Sequence, residues 1–170
     1  SYLRFWDWGF STKGLRSYLL DSVVPFLNDR ANHYSRYLTD GSVRIEFTTQ
    51  KKLKSGELSD DFQVKAINQY GSDLYAGNSS GERQRVDFAV SLSLNDLARE
   101  RASTPSNITI FDEVFEHLDQ AGCERVVELL LRESSRWGSC FVMTHQEDLK
   151  QFFPRVLQIV KSGGVSRLEK

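Results

Sequence analysis

The sequence predicts an α/β domain in which a helical and antiparallel front section is followed by a βαβ parallel sheet. Three observations predict it. Leu15, Leu19, Val23, Leu27 and Ala31 recur at four-residue spacing, the period of one helix face. Val43, Ile45 and Phe47, and then Phe62, Val64 and Ala66, alternate with polar residues as half-buried strands do. From Ile108 onward, short apolar runs alternate with helical stretches, which implies parallel pairing through right-handed crossovers.

In order, Ser11 to Leu38 reads as helix, with Leu20 and Val24 beside the main stripe. Pro25 is expected to kink or restart it, and Asp40-Gly41 to stop it. The charged piece QKKLKSGELSDD between the two strands reads as an exposed hairpin loop. Its Lys51, Lys52 and Lys54 either touch a phosphate backbone or simply face water. After the loop QYGSDLYAGN a long helix runs from about Ser80 to Arg101, broken by Thr104-Pro105-Ser106-Asn107. Then come a strand over Ile108 to Phe111, a helix over Ala121 to Ser134 and a strand over Ser139 to Thr144. A short helix over Gln146 to Phe152 and a strand over Arg155 to Lys161 follow, and Gly163-Gly164 turns the chain into a final strand. Three sections result, 1–40 helical, 41–77 hairpin and loop, and 78–170 the α/β core, within one structural domain.

A chain of 170 residues can bury one good core. With 39% hydrophobic and 26% charged residues it reads as an ordinary globular domain. Lys+Arg 22 against Asp+Glu 23 excludes a global basic field, so any DNA contact must come from a local patch. Cys123 and Cys140 lack ligand-spaced neighbours, which argues against structural zinc or a disulfide framework and for a reducing cytoplasm. No run approaches the ~18 apolar residues of a membrane span, and SYLRFWDWGF is no signal peptide.

Three motifs carry chemistry. In NITIFDEVFEHLDQAG an apolar strand delivers Asp112 and Glu113 to its C-terminal end, where open α/β sheets bind ligands. One carboxylate can hold Mg²⁺ while the other orients or deprotonates a water; equally, the pair can cap the next turn or meet arginines. His145 in CFVMTHQEDL also follows an apolar strand. It can donate to a phosphate oxygen or a reacting water, or serve as a structural residue, the only reading for His33 and His117. NSSGERQRVDFAVSLSLNDLA enters a helix through a Ser-Ser-Gly turn whose free N–H groups suit a phosphate. Read alone it is a helix cap, with Glu82 at the positive end. A complete phosphate cradle would need GxxxxGK[ST], and the sequence has none.

Taken together, NSSGERQR, ITIFDE, HLD and FVMTH resemble the signature motif, Walker B, D-loop and H-loop of the ATP-binding-cassette family, in that order. More narrowly, the chain resembles the C-terminal lobe of a head from the SMC-like ATPases, of the SbcC type that serves DNA double-strand-break repair. The stretch LLDSVVPFLNDRANHYSRYLTDGSVRIEFTT is similar to the segment by which those proteins return from a coiled coil into the head. The resemblance implies that Ser79, Ser80, Gly81 and Glu82 bind the γ-phosphate of ATP held by a second head. It implies that Asp112 binds Mg²⁺ through water, that Glu113 activates the hydrolytic water, and that His145 is the switch histidine. Asp119 falls on the D-loop aspartate that links the two heads around the nucleotide. The usual Leu-Ser-Gly-Gly-Gln reads here Asn78-Ser79-Ser80-Gly81-Glu82, with glutamate at the last place as in the SMC-like branch.

The resemblance further implies ATP and Mg²⁺ as cofactors. Its implied partners are an N-terminal lobe carrying the P-loop, a second head in a homodimer, an SbcD-type nuclease and DNA. The chain would then be one half of a composite head, and the missing lysine would belong to the other half. The alternatives are a docking scaffold without chemistry, or the head of a chromosome-condensation or RecF/RecN-like ATPase. The aromatic entry FWDWGF is either such a docking surface or packing at the base of the coiled coil. Arg83 and Arg85 either link nucleotide state to the coiled coil or DNA, or pair with acids such as Glu82 and Asp87 or simply face solvent.

Overall fold

The computed structural model describes residues 2–11, 14–52, 58–69 and 79–169. Helix α1 (Tyr2–Gly9) leads into α2 (Leu15–Thr39), followed by the strands β1 (Val43–Lys52) and β2 (Leu58–Asn68). Then come α3 (Ser80–Arg101), β3 (Ile108–Asp112), α4 (Gln120–Trp137) and β4 (Ser139–Met143). A 3₁₀ helix over Glu147–Phe152 and the hairpin β5 (Gln158–Ser162) and β6 (Val165–Glu169) complete the described chain.

Helix α2 runs through Pro25 without the expected restart. A proline removes one helical N–H, and the next turns are anchored from outside, along the edge of β1. Asn28 donates from Nδ2 to Phe47 O (3.2 Å) and accepts at Oδ1 from Phe47 N–H (2.7 Å). Asn32 does the same at Ile45, with distances of 2.7 and 3.0 Å. Ser35 donates to Val43 O (2.7 Å), and Val43 N–H donates to Thr39 Oγ1 (3.3 Å). The match is geometric: four helical residues rise about 6 Å and two strand residues about 6.6 Å. A helix face thus closes a strand edge that would otherwise invite another chain.

The apolar stripe of α2 divides along its length. Leu27, Ala31, Tyr34 and Leu38 are fully buried, whereas Leu15 and Leu19 are more than half exposed. Helix α1 buries none of its residues. The rings of FWDWGF stay exposed; Trp6 meets Phe5 edge-on and stacks on Phe10 at 5.7 Å between centroids.

The hairpin strands reach further than their apolar alternation, since β1 continues to Lys52 and β2 starts at Leu58, with a register shift between Thr48 and Gln50. Backbone pairing needs no apolar side chain, so the charged arms of the expected loop are strand. The tip, with Lys54, lies outside the described residues, as do the side chains of Lys51 and Lys52. The β3–α4–β4 unit is parallel as expected, Ile108 opposite Ser139 through to Asp112 opposite Met143. The strand expected over Arg155 to Lys161 begins instead at Gln158 and pairs antiparallel with β6. Two consecutive glycines at positive φ, Gly163 and Gly164, make that tight hairpin the nearest partner available.

A polar cluster ties α2, α3 and α4 together inside the core. Asp96, 6% exposed, accepts from Arg30 Nε at 2.6 Å and from Tyr34 O–H at 2.5 Å. Arg136 Nη2 lies 3.8 Å from the same carboxylate and pairs also with buried Glu133. Burial first, and then the hydrogen bond to Asp96 and its negative charge, push the Tyr34 hydroxyl up to about 12. A phenol whose folded pKa lies above its ordinary value contributes stability that is whole below about pH 10 and lost as pH rises through about 12. Denaturation midpoints across that window are therefore expected to fall more steeply for the parent than for Tyr34→Phe. Equal slopes would show that another group is responsible.

Candidate functional site

The site starts from the ends of two strands. Asp112 is the last residue of β3, exposed and opposite Met143. Among the described residues it forms no ion pair, so no arginine meets it there. Glu113 follows in the left-handed region, φ 50°, and its N–H donates to Met143 O at 3.0 Å. A non-glycine residue held there is strained, and such strain concentrates at functional positions. The turn brings the Glu113 carboxylate to the end of β4, where Oε2 lies 3.0 Å from His145 Nδ1. His145 remains largely exposed, so its other ring nitrogen is open to a ligand.

The loop between Glu113 and α4 is pinned from beneath. Phe115 is fully buried, and Gln146 Nε2 donates to its carbonyl at 3.4 Å. Gln146 N–H also donates to Thr144 Oγ1 at 3.1 Å, so one residue joins the loops that carry Glu113 and His145. Asp119 caps α4, accepting from Gly122 N–H at 2.9 Å and from Arg85 Nη2 at 2.6 Å. Its carboxyl is held below the ordinary range, by the Gly122 N–H first and then by the positive charge of Arg85. Arg85 therefore pairs with an acid, as one reading expected, and that acid is Asp119. The sequence carries no signal for a partner 34 residues away.

The Ser-Ser-Gly turn opens α3 through a capping box. Glu82 N–H donates to Ser79 Oγ at 3.2 Å, and Ser79 N–H donates to Glu82 Oε2 at 2.8 Å. Ser79 N–H is thereby satisfied, whereas the N–H groups of Ser80 and Gly81 have no helical acceptor. Ser80 is exposed; Asn78 lies outside the described residues. Gly81 packs closely against the loop. A Cβ there would come 3.2 Å from His117 O, in the loop that follows Glu113.

The sequence-predicted residues thus form two groups on one loop. Asp112, Glu113 and His145 gather at the strand ends. Ser79, Ser80, Gly81 and Glu82 open α3, with Gly81 close to His117 O of that loop and Arg85 of the same helix paired with Asp119. Among the described residues there is no cluster of three His, Cys, Asp or Glu able to enclose a metal. A single exposed carboxylate such as Asp112 suits Mg²⁺, which keeps most of its waters and takes the rest of its ligands from phosphates.

No family model matches the chain. It is 25% identical over 154 residues to exonuclease subunit 2 of Escherichia phage RB69, covering 88% of this chain and 25% of that protein. It is 24% identical over 146 residues to the SbcC component of nuclease SbcCD from Staphylococcus saprophyticus, covering 85% and 14%. Among solved structures, a chain from work on ATP-driven dimerization and DNA-stimulated activation of SMC ATPases superposes with a TM-score of 0.69 at 18% identity. That match covers 90% of this chain and 88% of the other, and Smc head domains share the fold. The chain is thus similar in sequence to these nuclease subunits and shares the fold of Smc head domains. The chain spans a quarter or less of the length of the curated relatives it matches.

Proposed function

We propose that this chain is the C-terminal half of an SMC-like ATPase head that binds and hydrolyses ATP at a head–head interface. The observation that carries it is the Glu113–His145 pair at 3.0 Å, one residue from Asp112, in a chain whose sequence lacks a P-loop lysine. Phosphoryl transfer needs positioning and charge neutralisation more than covalent chemistry. Asp112 would hold Mg²⁺, which supplies charge neutralisation when bound with ATP. Glu113 takes the proton of the attacking water, and His145 orients the Glu113 carboxylate and offers its free nitrogen to the γ-phosphate. The Ser79 hydroxyl and the N–H groups of Ser80 and Gly81 contact a γ-phosphate held by the second head. Asp119 lies at the face where the two heads meet.

A second, P-loop-bearing lobe is supported by the sheet itself. Ile108, Ile110, Phe141 and Met143 form one face of β3–β4, and each is about half exposed. Two parallel strands with one bare apolar face do not make a stable sheet alone, because parallel sheets are covered on both faces. The chain by itself is therefore expected to show negligible ATP hydrolysis, and addition of a lobe carrying GxxxxGK[ST] to restore it. Robust turnover by this chain alone, measured by phosphate release, would sink the reading.

The relatives are named as nuclease subunits, which supports a nuclease partner of the SbcD type and a role in DNA repair or recombination. The helical section 1–40 would then re-enter the head from a coiled coil. The exposed rings of α1 favour one other reading, a docking scaffold that performs no chemistry. The two differ at Glu113, whose substitution leaves a scaffold unaffected.

A further inference from the structure

The signature turn is held by more than its own capping box. Glu82 divides its carboxylate oxygens: Oε2 accepts from Ser79 N–H at 2.8 Å, and Oε1 accepts from Asn68 Nδ2 at 3.0 Å. Asn68 is the last residue of β2, 7% exposed and opposite Val43 in the hairpin register. Its neighbour Gln69 donates its N–H to Ser42 O at 3.0 Å. The hairpin closed by α2 therefore fixes where Asn68 stands.

A carboxylate engaged at both oxygens loses its freedom to rotate, so the ring of atoms joining Ser79 and Glu82 is held in one geometry. The Ser79 oxygen already accepts from Glu82 N–H, which leaves its hydroxyl proton to point away from the helix, on the exposed side of the turn. The contacts from Ser79 and then Asn68 also hold the Glu82 carboxyl below its ordinary range, so it stays ionised and acceptor-only.

We infer that Asn68 is a positioning residue for the phosphate-binding turn: by clamping Glu82, it aims the Ser79 hydroxyl and the free N–H groups of α3 at the phosphate presented by a second head. The inference rests on the head–head reading above. Asn68 touches no reacting atom and stands on the hairpin, so its loss acts on head association and leaves the Glu113–His145 pair in place.

The test uses the complete head, this chain together with its P-loop lobe, in a Glu113→Gln background where ATP-bound pairs accumulate. Association is followed by sedimentation as ATP is raised. Asn68→Asp sets one carboxylate against another and is expected to raise the ATP concentration for half-association about tenfold. The melting temperature is expected to fall, because the new carboxylate stands at a buried position beside Glu82, while the binding of ATP to a single head is expected to stay unchanged. The exchange Asn68→Asp with Glu82→Gln faces a donor with an acceptor again. It is expected to return association to within about twofold of Glu82→Gln alone. Asn68→Ala serves if Asn68→Asp does not fold. Association as tight as the parent's in Asn68→Ala or Asn68→Asp overturns the inference. So does an exchange pair that regains its melting temperature without regaining association. If the Glu113→Gln parent itself fails to associate with ATP, the head–head reading falls first and takes the inference with it.

Discussion

Glu113→Gln in the complete head is expected to lower ATP turnover by about 10²–10⁴-fold, the span of a positioned general base. ATP-driven association of two heads is expected to persist. The reason is the division of labour at the strand ends. Glu113 reaches the site through a left-handed turn anchored on Met143 O, with its carboxylate against His145 Nδ1. Glutamine keeps that turn and can still hydrogen-bond His145, but it has no basic oxygen to take a proton from water. The contacts that would bind phosphate across the interface lie on the other group, at Ser79 to Gly81, and are untouched. Phosphate-release assays and sedimentation measure the two effects separately. Turnover equal to the parent's would leave the docking-scaffold reading in place; loss of association together with turnover would mean that Glu113 shapes the interface itself.

Asp96→Ala carries the largest expected effect on stability, a loss of about 3–5 kcal/mol in urea denaturation. Asp96 is the shared acceptor for Arg30 and Tyr34 and the nearby counter-charge for Arg136, so it joins α3 to both α2 and α4. Its removal leaves the Tyr34 hydroxyl and the Arg30 guanidinium facing one another in a site that water barely reaches. Such a buried charge without its partner costs far more than the intact pair contributes. Asp96→Asn keeps an acceptor oxygen and is expected to cost less than Asp96→Ala. A loss below about 1 kcal/mol for Asp96→Ala would place it among ordinary exposed ion pairs.

Much of the candidate site is readable because its signals are local. Ser79 and Glu82 are three residues apart, so the capping box is written in the sequence, as is a helix from Ser80 to Arg101. Asp112, Glu113 and His145 each follow an apolar strand within a residue or two. Placing them at one edge needs only the parallel rule for β3–α4–β4. Pro25 misleads for the opposite reason: its local signal for a restart is not followed, and the helix continues into the turns that Asn28 and Asn32 dock on β1.

The sequence alone determined the periods, the caps and the order of the four motifs, because each arises from neighbours within one turn or one strand. Only the tertiary structure decided which polar groups meet across the chain. Asn28 and Asn32 spend their amides on β1, Asp96 gathers three helices, Arg85 finds Asp119, and Asn68 clamps Glu82. The physical reason is that a side-chain amide or guanidinium has the same hydrogen-bonding capacity wherever it stands. Its partner is chosen by burial, where an unpaired polar group is costly, and by the packing that brings distant segments within about 3 Å.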